Sequence, residues 1–480
     1  MKNLLSFLFS FLLVHAWLNA DKKPRPNFIL YLTDDVSWND LGCYGHPVIQ
    51  TPHLDRMARD GIRFENAYLS ISSCSPSRCS LVTGRYPHNT GACELHTTLP
   101  ADQYVFPEDL KKAGYYLALS GKHHMGKAVN RGFHKVSGGK GPGKQGDWVD
   151  ILRERPADKP FFCWFASVDA HRGWQLNDEA PRYEPEDVVV PPYLYDAPVT
   201  RKDLAEYYHE VSRIDHHLGL LRAELERQGI ADETYLIFMT DNGRPFPRCK
   251  TRLQDSGIKT PFLVTGPGIK AGSVTESLIS SIDLAPTILD LAGLKKDERI
   301  QGVTFAPILR NPEAKTRDYV FAEHNWHVYQ AHERLVRHKN WTLIRNAFPE
   351  RQNLCMEGDP SHPAGRELWE AEAAGKLEPR QRDVFLKPRP ALELYDVSKD
   401  PHQLHNLAGE KKHAAVLARL NDLLDLWTEQ TADDVPKNIT NDRQDPYKKK
   451  NKNHRRGDQP GVRSGSLANN HSGPVLETSK

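Results

Sequence analysis

The chain has 480 residues, of which 39% are hydrophobic and 26% are charged, and its formal net charge is +2. These values exclude a wholly disordered chain and indicate a soluble globular protein of about two domains with a sizeable core. The charge is uneven, because residues 446–480 contain eight Lys or Arg and two Asp or Glu, which leaves a net negative remainder. We expect this basic tail to be disordered, and we expect no nucleic-acid partner.

The first 20 residues have the features of an export signal. They contain one lysine, a long apolar run and Ala20 before the charged Asp21. This pattern predicts a signal peptide, and no second apolar run is long enough to span a bilayer. We therefore expect the mature protein to be exported to a periplasm, an extracellular space or a lysosome-like lumen.

Four apolar runs of strand length are each followed at once by polar residues. Because these runs are apolar on both faces, they predict strands of a mostly parallel sheet covered on both sides. Ligands bind beyond the carboxyl ends of the strands in such sheets, so the polar residues are expected to meet there. The runs and the residues that follow them are 27–33 with Asp34 and Asp35, 115–120 with 121–124, 160–168 with 169–171, and 234–240 with Asp241 and Asn242.

Helical patterns at 51–61, 107–114 and 201–229 alternate with these runs and predict an α/β fold. After about residue 310 the pattern changes to short strand-like pieces, which predict a small antiparallel sheet. An amphipathic helix at 413–429 is expected to pack on that sheet. The predicted division is a signal peptide at 1–20, a main catalytic domain at 21–312, a C-terminal subdomain at 313–432 and a basic disordered tail at 433–480.

Two pairs of oxygen-bearing side chains are candidates for a metal site. Asp34 and Asp35 follow the first run, and Asp241 and Asn242 follow the last. Oxygen ligands of this type suit Ca²⁺ or Mg²⁺, and adjacent carboxylates repel each other unless a cation neutralises them. Either pair alone would more often be a turn or a helix cap. The presence of both pairs at strand ends favours a cation site.

Three titratable or cationic side chains follow the two middle runs. Lys122 and His124 lie two residues apart after a glycine, so both point the same way if the segment is extended. His171 ends the next run. A lone histidine is usually structural, but three such groups at strand ends suit an anionic substrate.

The stretch "SSCSPSRCSLVTG" at 72–84 contains Cys74 and Cys79 and predicts a helix that ends at Gly84. Cys74 would lie near the helix N-terminus, where free N–H groups and the dipole favour anions. That position lowers the pKa of a plain thiol and would make it a nucleophile. A disulfide, for instance with Cys93, stays open as the alternative, because six of the seven cysteines could pair if one has a separate fate.

The sequence Cys74-Ser75-Pro76-Ser77-Arg78, followed by Thr83-Gly84, resembles the signature of type I sulfatases. In that family the cysteine is converted during export to Cα-formylglycine, whose hydrated aldehyde is the nucleophile. The resemblance covers about residues 25–430 and implies an alkaline-phosphatase-like sulfatase fold. It also implies a formylglycine-generating or anaerobic sulfatase-maturing enzyme as a partner. A second copy of the chain, in a homodimer, is a further candidate partner.

The resemblance further implies a set of site residues. The metal ligands would be Asp34, Asp35, Asp241, Asn242 and the modified Cys74, holding one divalent cation, Ca²⁺ in most relatives or else Mg²⁺. Lys122 and Arg78 would stabilise the aldehyde hydrate. His171 and Lys250 would bind sulfate and help to protonate the leaving group. His124 would take the proton from the second hydroxyl as sulfate is expelled.

Within the family the resemblance extends most to heparan N-sulfatases (sulfamidases) and their bacterial relatives, which implies N-sulfoglucosamine of heparan-type saccharides as the substrate. Sulfamidases carry arginine where this chain has Lys250, and lysine there is typical of ester-cleaving sulfatases. An O-sulfatase acting on a host or algal polysaccharide is therefore the alternative. A phosphoester hydrolase and an inactive polysaccharide-binding protein are minor alternatives. Candidate substrate contacts are Glu94, His96, His324, His327 and His332.

Overall fold

The computed structural model describes residues 25–447 and 459–465. The predicted signal peptide and most of the predicted basic tail lie outside the described residues. Within the described part of the chain, no helix has the length and apolar character needed to cross a membrane.

Strands and helices are interspersed along the first three hundred residues, in agreement with the predicted α/β fold. In chain order the strands are β1 (Asn27–Thr33), β2 (Ile62–Phe64), β3 (Ala67–Tyr68), β4 (Tyr116–Gly121), β5 (Lys135–Ser137), β6 (Phe161–Ala166), β7 (Thr234–Thr240), β8 (Leu263–Thr265), β9 (Ser273–Thr275), β10 (Ile279–Ser280), β11 (Tyr319–His324), β12 (Glu333–His338), β13 (Trp341–Asn346) and β14 (Leu392–Asp396). The α-helices are α1 (Pro52–Asp60), α2 (Cys74–Thr83), α3 (Pro107–Lys112), α4 (Trp148–Glu154), α5 (Pro198–Arg227), α6 (Asp255–Ile258), α7 (Leu284–Leu291), α8 (Ala306–Arg310), α9 (Pro363–Ala373), α10 (Ala414–Gln430) and α11 (Pro460–Gly465).

The main sheet has eight strands in the order β5-β4-β6-β1-β7-β8-β2-β9. Strand β8 runs antiparallel to both of its neighbours, and the other neighbouring pairs are parallel. The prediction of a mostly parallel sheet is therefore confirmed. Because β4, β6, β1 and β7 are adjacent and parallel, the polar residues that follow them meet at one edge of the sheet.

Side chains from β1 alternate between two cores, one on each face of the sheet. Phe28, Leu30 and Leu32 join a cluster that includes residues of α2 and α7. Ile29 and Tyr31 join a second cluster that includes residues of α1, α4 and α5. Burial on both faces is why this strand is apolar throughout, and it explains the uninterrupted runs in the sequence.

The smaller sheet consists of β11, β12, β13 and β14, all antiparallel. Helix α10 packs on it through Leu420, Leu424 and Trp427, which confirms the predicted amphipathic helix. Trp427 stacks on Phe321 with 5.1 Å between ring centroids and also meets Tyr86 edge-on. Tyr86 follows α2 closely in sequence, so this aromatic group joins the small sheet to the body that carries Cys74.

All seven cysteines lie in the described part of the chain, and every one is a free thiol. The disulfide considered for Cys74 is therefore absent from the structure. Cys79 is buried in the apolar core, and burial raises the pKa of its thiol to about 12. It is an inert packing residue on the helix that begins with Cys74.

The expectation of disorder from residue 433 is wrong for the residues that the structure describes there. Arg334 donates to the Asp433 carboxylate at 2.8 Å, and Thr440 donates to the Glu94 carboxylate at 2.7 Å. The low apolar content of this segment suggested disorder, but polar contacts of this kind hold it against the body. The remainder of the basic tail lies outside the described residues.

We expect Trp427→Ala to lower the free energy of unfolding by about 3–5 kcal/mol, because the side chain is fully buried and stacked. The measurement is urea unfolding followed by circular dichroism. Leu426→Ala is the matched control, since Leu426 is exposed on the same helix and should change stability by less than about 0.5 kcal/mol. Equal effects of the two variants would contradict the packing described here.

Candidate active site

Helix α2 begins at Cys74 and is buried along its whole length. Gly84 ends the helix with φ of 67°, a conformation that glycine adopts without strain, and its N–H donates to the Ser80 carbonyl at 2.8 Å. Ser73 occupies the N-cap position, but its hydroxyl contacts His327 Nδ1 at 2.7 Å and does not cap the helix. The helix therefore presents Cys74 at its N-terminus, as predicted.

Carboxylates and an amide surround Cys74. Its thiol lies 3.7 Å from Asp34 Oδ1, and ligand atoms of Asp34, Cys74 and Asp241 all lie within 4.8 Å of one another. The Asn242 amide N–H donates to Asp35 Oδ1. Asn242 Oδ1 is buried and has no hydrogen-bond partner among residues 25–447 and 459–465. The two predicted ligand pairs thus come together beside Cys74.

This group of side chains fits a divalent cation. An acceptor oxygen that is buried without a donor, such as Asn242 Oδ1, costs free energy unless a ligand satisfies it. Carboxylate and amide oxygens are the ligands that Ca²⁺ and Mg²⁺ prefer. The buried Asp34, Cys74 and Asp241 therefore form a candidate cation site, with Asp35 and Asn242 next to it.

Three cationic side chains face the three carboxylates. Arg78 Nε donates to Asp241 at 2.7 Å, and Lys250 Nζ lies 2.8 Å from Asp35. Lys122 is paired with Asp34. Each cation comes from a different part of the chain, and the fold brings the three together with these carboxylates at the ends of the strands.

Burial and the neighbouring cations have opposite effects on the pKa values of these carboxylates. Burial acts to raise the pKa of Asp34, but Lys122, His171 and Arg78 together hold it well below its usual range. Burial raises the pKa of Asp241 to about 7, in spite of Arg78. Burial thus opposes full ionisation of Asp241 at neutral pH, and an added cation would favour its charged form.

The thiol of Cys74 is not activated, contrary to the prediction from its place at the helix N-terminus. A helix N-terminus was expected to lower its pKa, whereas burial raises the pKa to about 12 despite the nearby Lys122 and Lys250. The helix dipole is a small effect beside full burial and the neighbouring carboxylates. A plain thiol at this position is therefore a poor nucleophile.

The predicted histidines reach the same edge of the sheet. His124 Nε2 lies 2.8 Å from His96 Nδ1, so these two rings share a hydrogen bond. His171 Nδ1 donates to the Arg172 carbonyl at 2.6 Å, which leaves Nε2 as the other nitrogen of that ring. Burial lowers the pKa of both His124 and His171, and nearby lysines lower it further. These shifts favour the neutral form of both imidazoles.

The candidate substrate contacts separate into two groups. His96 and His327 lie at the site. His96 contacts His124, and His327 contacts Ser73. Burial, and then the charge of Lys250, lowers the pKa of His327. The other three are buried in contact with protein groups. These are Glu94 with Thr440, His324 with Glu333 at 2.8 Å, and His332 beside Arg334.

Two features of the site were not found from the sequence. Glu357 is buried with Oε1 3.8 Å from Lys250 Nζ, and it comes from a long connection without any periodic pattern. Asp169 accepts from Arg213 at 2.6 and 2.8 Å, while its carbonyl accepts from the Asp34 N–H at 2.9 Å. The position of Asp169 at a strand end was the only signal for the second feature.

Comparison with known proteins identifies the family. The sequence matches the sulfatase family over residues 26–145 and 146–294. The chain belongs to the sulfatase family. Residues 249–359 of this sulfatase also match a second family description, N-sulphoglucosamine sulphohydrolase, C-terminal. That segment contains Lys250, His327 and Glu357.

Two curated relatives resemble this sulfatase over most of its length. One is the human N-sulphoglucosamine sulphohydrolase, 31% identical over 468 residues that cover 86% of this chain and 91% of the relative. The other is an ulvan-active sulfatase of Formosa agariphila, 30% identical over 466 residues that cover 86% of this chain and 76% of the relative.

Solved structures share the fold at lower identity. One is a protein in complex with its substrate D-glucosamine-2-N,6-O-disulfate, with a TM-score of 0.65 and 22% identity, covering 86% of this chain and 99% of that chain. Another is a phosphonate monoester hydrolase of Agrobacterium radiobacter, with a TM-score of 0.65 and 19% identity, covering 84% and 96%. These likenesses confirm the predicted alkaline-phosphatase-like fold of the sulfatase.

We expect Asn242→Ala to weaken the binding of a divalent cation, probed with Ca²⁺, at least tenfold. Removal of a residue that only hydrogen-bonds to a metal ligand already costs about 10–100-fold in metal affinity. Isothermal titration of metal-stripped protein with calcium measures the affinity. Asn177→Ala is the control, because Asn177 is half-buried and its side-chain amide bonds only to Glu179 within the described region. Unchanged affinity in Asn242→Ala would remove Asn242 from the ligand set.

Proposed function

We propose that this sulfatase hydrolyses the N-sulfate of N-sulfoglucosamine in heparan-type saccharides. The observation that carries the proposal is the match of residues 249–359 to the C-terminal description of N-sulphoglucosamine sulphohydrolase. This segment supplies Lys250 and Glu357, which lie together beside Asp35 at the candidate active site. The similarity to the human enzyme over most of both chains supports the same substrate.

The second candidate function is an O-sulfatase acting on a sulfated polysaccharide. Lys250 favours it, because lysine at this position resembles the ester-cleaving members of the family. The ulvan-active relative and a relative described as N-acetylglucosamine-6-O-sulfatase, from Bacteroides thetaiotaomicron, support it as well. The residues around Cys74 serve either reaction, since both substrates present the same sulfate group.

The proposed chemistry starts with two groups that the chain would carry when mature. Formylglycine at position 74 supplies a hydrated aldehyde as the nucleophile, and a divalent cation, proposed to be Ca²⁺, supplies positive charge beside it. Asp34, Asp35, Asp241, Asn242 and residue 74 would hold that cation. This assignment agrees with the raised pKa of the unmodified thiol, which makes a direct role for the cysteine unfavourable.

The other side chains orient the sulfate and handle protons. Arg78 and Lys122 stay charged, since nearby carboxylates outweigh the effect of burial and raise the pKa of both. They would hold the hydroxyls of residue 74. Lys250, which carboxylates hold in its charged form against burial, would donate to the atom that leaves with the saccharide. His171 would bind the sulfate beside it.

His124 would complete the cycle as a base. Its neutral imidazole can accept the proton of the second hydroxyl at residue 74, because burial and the nearby Lys122 keep its pKa low. General base help of this kind is typically worth about 10²–10⁴-fold in rate. The same proposal includes two earlier steps. Residues 1–20 would direct export of the chain, and a maturing enzyme would convert Cys74 to formylglycine.

We expect Cys74→Ser to lose at least about 10³-fold in activity, as expected for loss of a nucleophile. Serine has a single hydroxyl, so it cannot expel sulfate by collapse to an aldehyde. Cys79→Ala serves as the control on the same helix and should keep its activity, because Cys79 only packs in the core. Mass spectrometry of the peptide with residue 74 checks conversion, and an active Cys74→Ser in which residue 74 is not converted would overturn the formylglycine assignment.

The substrate is tested with a heparan-derived disaccharide that carries one N-sulfate and one 6-O-sulfate. The enzyme is produced together with a formylglycine-generating enzyme, and mass spectrometry identifies which sulfate is lost. We expect loss of the N-sulfate, with Lys250 acting where sulfamidases carry arginine. Loss of the 6-O-sulfate alone would assign the O-sulfatase function. No loss from fully converted enzyme would contradict both heparan assignments.

A further inference from the structure

The two histidines that share a hydrogen bond at the site have unusual backbone conformations. His96 has φ of 67° and His124 has φ of 54°, both in the left-handed region that few residues other than glycine favour. Strained positions of this kind persist only where the surrounding structure enforces them, and they are concentrated at functional sites. At these two residues the conformation accompanies a contact between His96 Nδ1 and His124 Nε2 at 2.8 Å.

This hydrogen bond divides the work of the two nitrogens of His124. With Nε2 committed to His96, the remaining nitrogen is Nδ1, which is buried and has no hydrogen-bond partner in the described part of the chain. Besides burial, the charges of nearby side chains shift the pKa of this ring: Lys122 and Arg78 lower it, and Asp34 raises it. Nδ1 is therefore the nitrogen of His124 that remains to exchange a proton.

His96 is held in place from two sides. The backbone N–H of His96 donates to the Ser75 hydroxyl at 2.7 Å, which links His96 to the residue directly after Cys74. The two residues before it contact the C-terminal segment, by which we mean the described residues after 432. Thr440 donates to Glu94 at 2.7 Å, and the Gln459 side chain donates to the Leu95 carbonyl at 2.7 Å. The C-terminal segment thus reaches the histidine pair through Glu94 and Leu95.

We propose that His96 is a positioning residue that orients the base His124, and that contact of Thr440 with Glu94 keeps His96 in position. The inference rests on the proposed function, because it assigns a partner to the proposed base. It differs from the role of sugar contact predicted for His96 from the sequence. A sugar contact would act on substrate binding, whereas a positioning residue acts on the rate of the chemical step.

The test is His96→Gly, which suits the left-handed backbone and leaves a space of the shape of imidazole. On the sulfated disaccharide that the wild-type enzyme hydrolyses, we expect kcat to fall by about 10²-fold with little change in KM. Added imidazole should restore most of the lost rate, because His96 is only half-buried and its site is open to a small molecule. His123→Ala is the control for a neighbouring half-buried histidine and should behave as wild type.

Folding of each variant is checked by circular dichroism. If His96→Gly does not fold, His96→Asn carries the test, since asparagine tolerates this backbone and keeps a polar group; its kcat should fall without a rise in KM. A rise in KM with unchanged kcat, or a loss that imidazole does not restore, would overturn the positioning role. Inactivity of the wild-type enzyme would instead count against the proposed function.

Thr440→Val tests the contribution of the C-terminal segment. We expect it to lower kcat in the wild-type background and to have no further effect in His96→Gly, because both changes act through the same ring. Independent effects in the double variant would show that the segment does not act through His96.

Discussion

Three carboxylates, Asp34, Asp35 and Asp241, are buried together at the ends of the neighbouring strands β1 and β7, and the site is built around their charge. Burying carboxylates is costly unless cations face them, and Arg78, Lys122 and Lys250 meet that need. Glu357, next to Lys250, adds a fourth buried acidic side chain. A divalent cation would add positive charge to this group of side chains, which suits the binding of an anionic sulfate.

The sheet explains why these groups can meet although they are far apart in sequence. Adjacent parallel strands bring the ends of β4, β6, β1 and β7 to one edge. Helix α2, which packs on one face of the sheet, supplies Cys74 and Arg78. The small sheet and its connections add the outer wall, with His327 bound to Ser73 and Glu357 next to Lys250. In the proposed function, the main sheet therefore supplies the sulfate chemistry, and the C-terminal part supplies residues that would contact the rest of the substrate.

Much of this arrangement could be predicted because it is encoded locally. The buried strand β1 is an unbroken apolar run, and Asp34 and Asp35 follow it directly, so both the strand and the ligands are visible in a dozen residues. Glu357 lies in a long connection between β13 and β14 whose course depends on tertiary contacts. The pKa of Cys74 was predicted in the wrong direction, because the sequence shows its place on the helix but not its burial.

Anomalous diffraction from crystals grown with calcium tests most directly whether the carboxylates next to Cys74 form a cation site. We expect an anomalous peak about 2.3–2.6 Å from oxygens of Asp34, Asp35, Asp241 and Asn242. Lys122 should then have moved off the Asp34 oxygen with which it is paired here. A fully ordered site with no peak, and with Lys122 still in contact with Asp34, would contradict the account.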